Sequence, residues 1–176
     1  MDGVNDTRRV TSEHQTTRAS LRFEDFFRRE HLRLLRALFL VTGSRHEAEE
    51  VAQESLVKVW ERWERVSVMD DPTAYLYRTA MNVFRSRYRR AVRAARRMVR
   101  ADTVRDVIGD ADERDAVLRA LAMLSPKQRA ALVLTEMLGY GSEEAGRAMG
   151  IKPVTVRVLA SQGRAVLRER LERTGE

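Results

Sequence analysis

The feature that most constrains the fold is the stretch at residues 72–100, PTAYLYRTAMNVFRSRYRRAVRAARRMVR, which contains no acidic residue. From Arg78 onward it contains nine arginines. Asp71 is placed to cap a helix, Pro72 suits the first helical position, and no later Gly or Pro interrupts the run. Apolar residues recur at helical spacing, and basic residues with Asn82 recur beside them, so one helix with an apolar face and a basic face is predicted. A basic face without acidic residues favours a polyanionic partner over a solvated surface, which usually mixes charges.

The composition supports a nucleic-acid partner and argues against several other classes. The chain has 176 residues and a formal net charge of +7, as expected of a protein that binds nucleic acid. It contains no cysteine, so disulfides and thiolate metal sites are excluded, and a cytoplasmic location is expected. No signal peptide or apolar run of membrane-spanning length is present, so membrane insertion is not expected. The three histidines are isolated and no phosphate-binding glycine loop occurs, so we expect no metal, no cofactor and no enzymatic activity.

Shifts in composition predict an all-α fold of two small helical domains joined by a flexible linker. Residues 1–20 are polar and predict a disordered tail, and residues 21–97 predict the first domain. Residues 98–112 read as a linker, and residues 113–173 predict the second domain. At about 3.3 Å per residue, the linker has a reach on the order of 50 Å, so the domains can lie well apart on one partner.

The first domain is predicted to place an acidic helix before the arginine-rich one. Gly43 suits the end of the preceding helix, and Ser44 with Glu47 forms a predicted capping box. The exposed side of this acidic helix is either a solvated surface or a docking surface for a basic protein, and its residues alone leave both interpretations open. Trp60 and Trp63 at its end are placed either to stack on bases or to pack in the core, and their helical spacing favours the core.

The second domain is predicted to contain four helices and a helix-turn-helix. Helices are expected at 113–124, at 126–138 after the capping box of Ser125 and Gln128, at 143–149 capped by Ser142, and from Pro153 to about residue 172. A short helix, a glycine-led turn and a longer helix form the helix-turn-helix pattern. Basic residues near the start of the last helix favour DNA binding, because the second helix of this motif enters the major groove.

In combination these motifs resemble a bacterial sigma factor of the extracytoplasmic-function group, in the sigma-70 family. The resemblance rests on AEEVAQESLVKVW at 48–60, PTAYLYRTAMNVFRSRYRR at 72–90, LSPKQRAALVL at 124–134 and the helix-turn-helix with TVR at 155–157, and it covers about 22–171. It implies that residues 21–97 are region 2 and that residues 113–173 are region 4. It also implies a subunit that binds core RNA polymerase, through the β′ clamp and the β flap, and directs it to promoter DNA. An anti-sigma factor is a possible further partner.

The resemblance also implies which residues make these contacts. The polymerase-binding residues would be Glu47, Glu49, Glu50, Gln53 and Glu54. Binding and melting of the −10 element would involve the loop 65–71 and the arginine helix, through Arg65, Val66, Ser67, Tyr75, Arg78, Asn82, Arg85 and Arg89. Reading of the −35 element would involve Arg147, Lys152, Pro153, Thr155, Val156, Arg157, Ser161 and Arg164. The turn after TVR departs from the common family pattern, because Val158, Leu159, Ala160 and Gln162 stand there.

The main competing hypothesis is a free-standing helix-turn-helix regulator of transcription. An acidic docking helix and a helix with arginines, aromatics and Asn82 discriminate against it. A regulator that binds only duplex DNA needs neither a surface for the polymerase clamp nor a site for an opened strand.

Overall fold

The computed structural model describes residues 22–97 and 114–174, and both segments consist of helices and turns, with no strand among the described residues. The helices are α1 Phe23–Thr42, α2 Arg45–Trp60, α3 Trp63–Val66, α4 Pro72–Arg97, α5 Arg114–Ala122, α6 Pro126–Leu132, α7 Ser142–Met149 and α8 Pro153–Thr174. A π-helical turn, Val133–Met137, continues α6. The prediction of an all-α fold is confirmed. The predicted tail at 1–20 and the predicted linker at 98–112 lie outside the described residues.

The ends of the first helices follow the predicted capping residues. Gly43 adopts the left-handed conformation with φ 73°, and its N–H donates to the Phe39 carbonyl at 2.8 Å. The Ser44 hydroxyl accepts from the Glu47 N–H at 3.3 Å and begins α2, but the second bond of the predicted capping box is replaced, because the Ser44 N–H donates to the Thr42 hydroxyl at 3.2 Å. The Asp71 carboxylate accepts from the Ala74 N–H at 2.8 Å and begins α4. These caps satisfy backbone groups that would otherwise lack partners at helix ends.

The second segment confirms one predicted cap and corrects another. The Gln128 N–H donates to the Ser125 hydroxyl at 3.3 Å, and the Ser125 N–H donates to the Gln128 side-chain oxygen at 2.9 Å, so the capping box is present. Ser142 does not cap α7, because it is the first helical residue and Gly141 is the N-cap. The Glu144 carboxylate accepts from the Gly141 N–H at 2.9 Å, which supplies the contact at this end.

The Ser125 cap allows a direct test of this local structure. Ser125→Ala removes the hydroxyl that accepts from the Gln128 N–H, and loss of such a cap costs about 0.5–2 kcal/mol of stability. We therefore expect a lower midpoint of thermal unfolding, followed by circular dichroism. Ser161→Ala, in the interior of α8, removes the same atoms where alanine is the better helix former, so it should not lower the midpoint. Equal midpoints for wild type and Ser125→Ala would contradict the role of the cap.

The described parts of the chain share one buried core. In the first segment α1, α2 and α4 pack together, and in the second α6, α7 and α8 do so. The two segments also meet, because α7 packs on α4, and α6 and the π-helical turn pack on α1. The rings of Tyr77 and Tyr140 lie edge to face at the contact, with centroids 5.9 Å apart. The fully buried side chains include Phe26, Leu34, Leu38, Val41, Val51, Val59, Leu76, Leu134 and Val156.

A buried carboxylate fixes the start of α4 against α1. Glu30 is 1% exposed, and it accepts from the Arg29 guanidinium at 2.9 Å and from the Thr73 hydroxyl at 3.2 Å. Both contacts are to Oε1, and Arg33 Nη1 lies 3.9 Å from Oε2, so the bond from Thr73 ties the start of α4 to this buried carboxylate of α1. The packing sets the register of the arginine helix relative to the rest of the first segment. Among the described helices none combines the length and the apolar character needed to span a bilayer.

Candidate protein-docking and nucleic-acid surfaces

The acidic side of α2 divides into two stripes that face different neighbours. Glu47, Glu50 and Glu54 turn toward α4, where they meet the guanidinium of Arg87. Arg87 Nε donates to Glu47 Oε1 at 2.8 Å and Nη2 donates to Glu47 Oε2 at 3.3 Å, a two-pronged contact. Distances of 3.6 Å to Glu50 Oε2 and 3.9 Å to Glu54 Oε2 complete the cluster. Hydrogen bonding to Glu47 and the nearby carboxylates raise the pKa of Arg87, so this cation stays charged.

The second stripe borders an apolar groove between α1 and α2. Glu49 and Gln53 lie at its edge, and the groove has a volume of about 470 Å³. Its other lining residues are Phe23, Phe27, His31, Leu35, Ala52, Leu56, Val57 and Trp60. Trp60 is 61% exposed, an unusual degree for so large an apolar side chain. The groove therefore combines polar side chains at its edge with an exposed aromatic anchor, a combination typical of protein-binding surfaces.

The two tryptophans have different environments. Trp63 packs against Phe23 and Phe26, with ring centroids 5.3 Å and 4.9 Å apart, so the core interpretation is correct for Trp63. Trp60 instead lines the groove, where neither the core nor the base-stacking interpretation placed it. Helical spacing alone did not separate the two residues, because α2 ends at Trp60 and a two-residue turn redirects the chain before Trp63.

Ion pairs within α2 leave its acidic residues accessible to a partner. Arg45 Nε lies 2.8 Å from Glu49 Oε1, and Lys58 Nζ lies 2.5 Å from Glu54 Oε1. Both pairs join residues four apart on an exposed helix surface, where solvent screening makes such pairs weak. A cationic partner replaces contacts of this strength at little cost.

The segment between α2 and α4 is partly helical and only partly exposed. Arg65 and Val66 lie in α3, and the Ser67 hydroxyl donates to the Glu64 carbonyl at 3.2 Å. Arg65 is exposed and Ser67 is half-buried, so both are near the surface. Val66 is fully buried, so its side chain supports the segment from within and is not presented to a ligand. Val66 is predicted from the resemblance to contact the −10 element, but its buried side chain packs inside the protein instead.

Tyr75 connects this segment to α4 through arginines. Arg62 Nη1 donates to the Tyr75 hydroxyl at 3.2 Å, and the Arg78 guanidinium lies over the Tyr75 ring at 5.3 Å from its centroid. The hydrogen bond from Arg62 lowers the pKa of Tyr75. Tyr75 is itself 8% exposed, so it orders the arginines around it more than it offers its own ring. Arg62 is a surface cation that the sequence patterns missed, because no local spacing relates it to Tyr75.

The predicted basic face of α4 is present, with one residue turned toward α7. Arg78, Asn82 and Arg89 are exposed, whereas Arg85 is half-buried. Arg85 Nη1 donates to the Met149 carbonyl at the end of α7, and Arg85 Nη2 donates to Asn82 Oδ1 at 2.6 Å. Burial against α7 lowers the pKa of Arg85, with a smaller effect from Arg89. Asn82 and Arg85, which are both predicted to bind the opened strand, thus already form hydrogen bonds within the chain.

The helix-turn-helix is formed by α7, the turn 150–152 and α8. Gly150 has φ 62°, a conformation that favours glycine, and it ends α7. A Cβ on Gly146 would lie 2.9 Å from the Ile151 carbonyl oxygen, so this glycine permits the close approach of the turn. The motif therefore depends on Gly150, which the sequence pattern placed in the turn, and on Gly146, which the pattern did not single out.

Most predicted reading residues of the helix-turn-helix lie on its surface. Arg147, Lys152, Thr155, Arg157 and Ser161 are exposed, and Pro153 is half-buried at the start of α8. Val156 is fully buried and holds α8 against the core, so the predicted contact with DNA is replaced by a packing role.

Two of the exposed arginines already have partners in the chain. Arg157 Nη1 donates to the Ser142 hydroxyl at 3.1 Å. Arg164 Nη1 lies 2.6 Å from Glu136 Oε1, so a carboxylate partly neutralises Arg164. Neither cation is therefore wholly available to a phosphate in this arrangement.

Two family models match the described segments. The Sigma-70 region 2 model matches residues 26–94, and the Sigma-70, region 4 model matches residues 114–167. The first match covers most of α1, all of α2 and α3 and almost all of α4, and the second runs from α5 through most of α8.

Several curated proteins are similar over most of this chain. The RNA polymerase sigma-E factor of Streptomyces coelicolor is 29% identical over 155 residues, which cover 86% of each protein. The ECF RNA polymerase sigma factor SigG of Mycobacterium tuberculosis is 29% identical over 171 residues. That alignment covers 80% of this chain and 45% of SigG, so the chain spans less than half of the length of SigG.

Solved structures show the same arrangement of helices. The sigma factor RpoE of Bartonella quintana, in complex with the anti-sigma factor NepR, has a TM-score of 0.70 and 25% identity, over 85% of this chain and 96% of that one. CnrH, in complex with the cytosolic domain of CnrY, has a TM-score of 0.59 at 24% identity, which shows the fold. With both regions matched in order, the chain belongs to the sigma-70 family, in the extracytoplasmic-function group of RNA polymerase sigma factors.

Proposed function

We propose that this sigma factor binds core RNA polymerase through α2, opens the −10 promoter element with residues 65–71 and α4, and reads the −35 element with α7 and α8. The observation that carries the proposal is that two packed helices expose opposite charges. The outer side of α2 is acidic and borders an apolar groove, whereas α4 exposes arginines and contains no acidic residue. A free-standing regulator of duplex DNA has no use for the first surface. The proposal assigns the chain no catalytic step.

Docking on core polymerase is proposed for the α1–α2 groove and its acidic border. Trp60 supplies a large apolar anchor, and Glu49 and Gln53 lie beside it. Glu47, Glu50 and Glu54 extend the negative surface toward α4. A helix of the β′ clamp with apolar and basic side chains fits this combination, because apolar contacts give affinity while charges set orientation. Contact of region 4 with the β flap is part of the same proposal.

Strand opening is proposed for the surface formed by Arg65, Ser67, Arg78, Asn82 and Arg89. Arginines bind the phosphates of the opened strand, and the amide of Asn82 offers both a donor and an acceptor to a base. Extruding a base from the stack costs a few kcal/mol, so a pocket must recover this energy by contacts.

Arg85 joins this surface only after it leaves the Met149 carbonyl. The proposed melting role therefore requires α7 to move away from this side of α4.

Reading of the −35 element is proposed for the exposed start of α8. Lys152 directly precedes α8 and Thr155 and Arg157 lie in its first turns, where helix-turn-helix proteins contact base edges and phosphates. Arg147, at the end of α7, extends the basic surface across the turn.

Lys152→Ala is expected to reduce binding of the full chain to duplex promoter DNA and to flatten its salt dependence. Loss of one phosphate contact lowers the slope of log affinity against log salt by about 0.9. Arg164→Ala is the matched control, because Glu136 already pairs with this arginine and partly neutralises it. We expect a smaller change of slope for the control in fluorescence anisotropy at several salt concentrations. Identical slopes for wild type and Lys152→Ala would exclude a phosphate contact at Lys152.

Run-off transcription tests the whole proposal. Purified core polymerase with the chain should produce defined transcripts from a subset of a promoter library, and core polymerase alone should not. Sequence-specific duplex binding without transcription would instead favour the free-standing regulator.

An anti-sigma factor is a second partner that we propose. The support is the likeness to RpoE, whose solved structure is a complex with the anti-sigma factor NepR, and the exposed apolar groove of this chain. Such a protein should displace core polymerase from the chain and lose affinity when Trp60→Ala removes the anchor. Displacement that is insensitive to Trp60→Ala would exclude this groove as its binding site.

A further inference from the structure

Arg87 differs from the other arginines described on α4. It lies roughly 140° around the helix from Asn82, since successive residues are about 100° apart. Its guanidinium points to α2 and forms the two-pronged contact with Glu47, at 2.8 Å and 3.3 Å. Arg87 is therefore unsuited to the strand-binding surface, although it lies within the basic stretch of the sequence.

The contacts of Arg87 fall on the proposed docking residues. Besides Glu47 it approaches Glu50 and Glu54, at 3.6 Å and 3.9 Å, so one guanidinium meets three of the five residues assigned to polymerase binding. Its side chain is 28% exposed, whereas Arg45, the partner of Glu49, is 85% exposed. A half-buried contact made by a planar guanidinium fixes carboxylate orientation better than a flexible surface pair does.

We propose that Arg87 is a positioning residue for polymerase docking, which holds the carboxylates of Glu47 and Glu50 from α4 in the orientation that the basic partner meets. The inference rests on the docking function proposed for α2. In this proposal α4 contributes to two surfaces. One side of α4 binds the opened strand, and Arg87 on another side supports the docking residues of α2. The link is a direct side-chain contact between the two helices.

A simple shielding role predicts the opposite sign for the same substitution. Arg87→Gln makes the surface more negative by one charge, so a shielding role predicts tighter binding to a basic partner, most of all at low salt. A positioning role predicts weaker binding, because the carboxylates lose their fixed orientation and gain rotational freedom. The sign of the change in affinity therefore separates the two roles.

The experiment titrates labelled full-length chain with core polymerase at about 50 and 200 mM salt, a range that screens exposed charges strongly. We expect Arg87→Gln to weaken binding about tenfold, the scale of one lost charged hydrogen bond. Arg87→Lys, which keeps the charge but not the planar fork, should recover part of the affinity. Arg90→Gln removes the same charge from an exposed position on the same helix and should change core affinity less than about twofold.

Four outcomes would overturn the inference. The first is that Arg87→Gln binds core polymerase as tightly as wild type, or more tightly, at low salt. The second is that Arg87→Gln and Arg90→Gln lose the same affinity. The third and fourth are that Arg87→Lys binds as wild type does, or that it binds no better than Arg87→Gln. If Arg87→Gln lacks a cooperative thermal transition, it is not folded and the test rests on Arg87→Lys alone. The expected result is then that Arg87→Lys binds core polymerase less tightly than wild type but still measurably. Failure of the docking proposal is distinguishable, because Glu50→Lys with Gln53→Ala would then retain core affinity. If that pair loses affinity while Arg87→Gln does not, docking is correct and positioning by Arg87 is wrong.

Discussion

Asn82→Ala combined with Arg85→Ala is expected to reduce open-complex formation by about a hundredfold or more, while promoter binding before melting changes much less. Each charged hydrogen bond contributes about 1.5–3 kcal/mol, and tenfold corresponds to about 1.4 kcal/mol. The two side chains are already linked, because Arg85 Nη2 donates to Asn82 Oδ1 at 2.6 Å, so they are expected to meet the strand as a unit. Permanganate footprinting of the bubble and a closed-complex binding assay measure the two steps separately.

A premelted template is the control for this double variant. If the pair acts in melting, transcription from a template mismatched across the bubble should be close to wild type. The control also accounts for the contact between Arg85 and the Met149 carbonyl, because loss of that contact affects both templates alike. Wild-type activity on duplex promoters, or an equal loss on both templates, would exclude the melting role.

Glu50→Lys combined with Gln53→Ala is expected to weaken binding to core polymerase by roughly tenfold to a hundredfold, since like charges placed together at an interface cost several kcal/mol. The pair covers both stripes of α2, because Glu50 turns toward Arg87 and Gln53 borders the groove. Affinity is measured by fluorescence titration with purified core enzyme.

Glu64→Lys makes the same reversal on α3, away from this surface, and should bind core polymerase as wild type does. Circular dichroism checks that the variants keep their helix content. Retained affinity of Glu50→Lys with Gln53→Ala would refute the docking surface.

Local patterns predicted the helices and their ends well. The caps at Gly43, Ser44, Asp71 and Ser125 depend on contacts within a few residues, which a sequence displays directly. The exception at Ser142 has a local cause, because Gly141 also suits an N-cap and Glu144 reaches its N–H. Where neighbours in sequence decide the structure, prediction succeeded at these four ends and failed in the choice between Gly141 and Ser142.

Contacts between distant residues could not be predicted. Arg87 lies 40 residues from Glu47, and its direction depends on how α4 packs against α2. The same holds for Arg62, which binds Tyr75, and for Arg85, which binds the end of α7. Arg85 and Arg87 belong to one arginine-rich stretch, in which the residue type is identical and only the tertiary packing assigns a partner, and Arg62 lies before that stretch with no local pattern to relate it to Tyr75.

The shared core of the two described segments has a consequence for unfolding. Because α7 packs on α4, and α6 and the π-helical turn pack on α1, each segment buries part of its apolar surface against the other. The free energy of unfolding is then a joint property, and the segments should unfold in one cooperative transition. Backbone amides at the α4–α7 contact should exchange with solvent at rates set by that same opening. Detaching the helix-turn-helix therefore lowers the stability of the arginine helix as well.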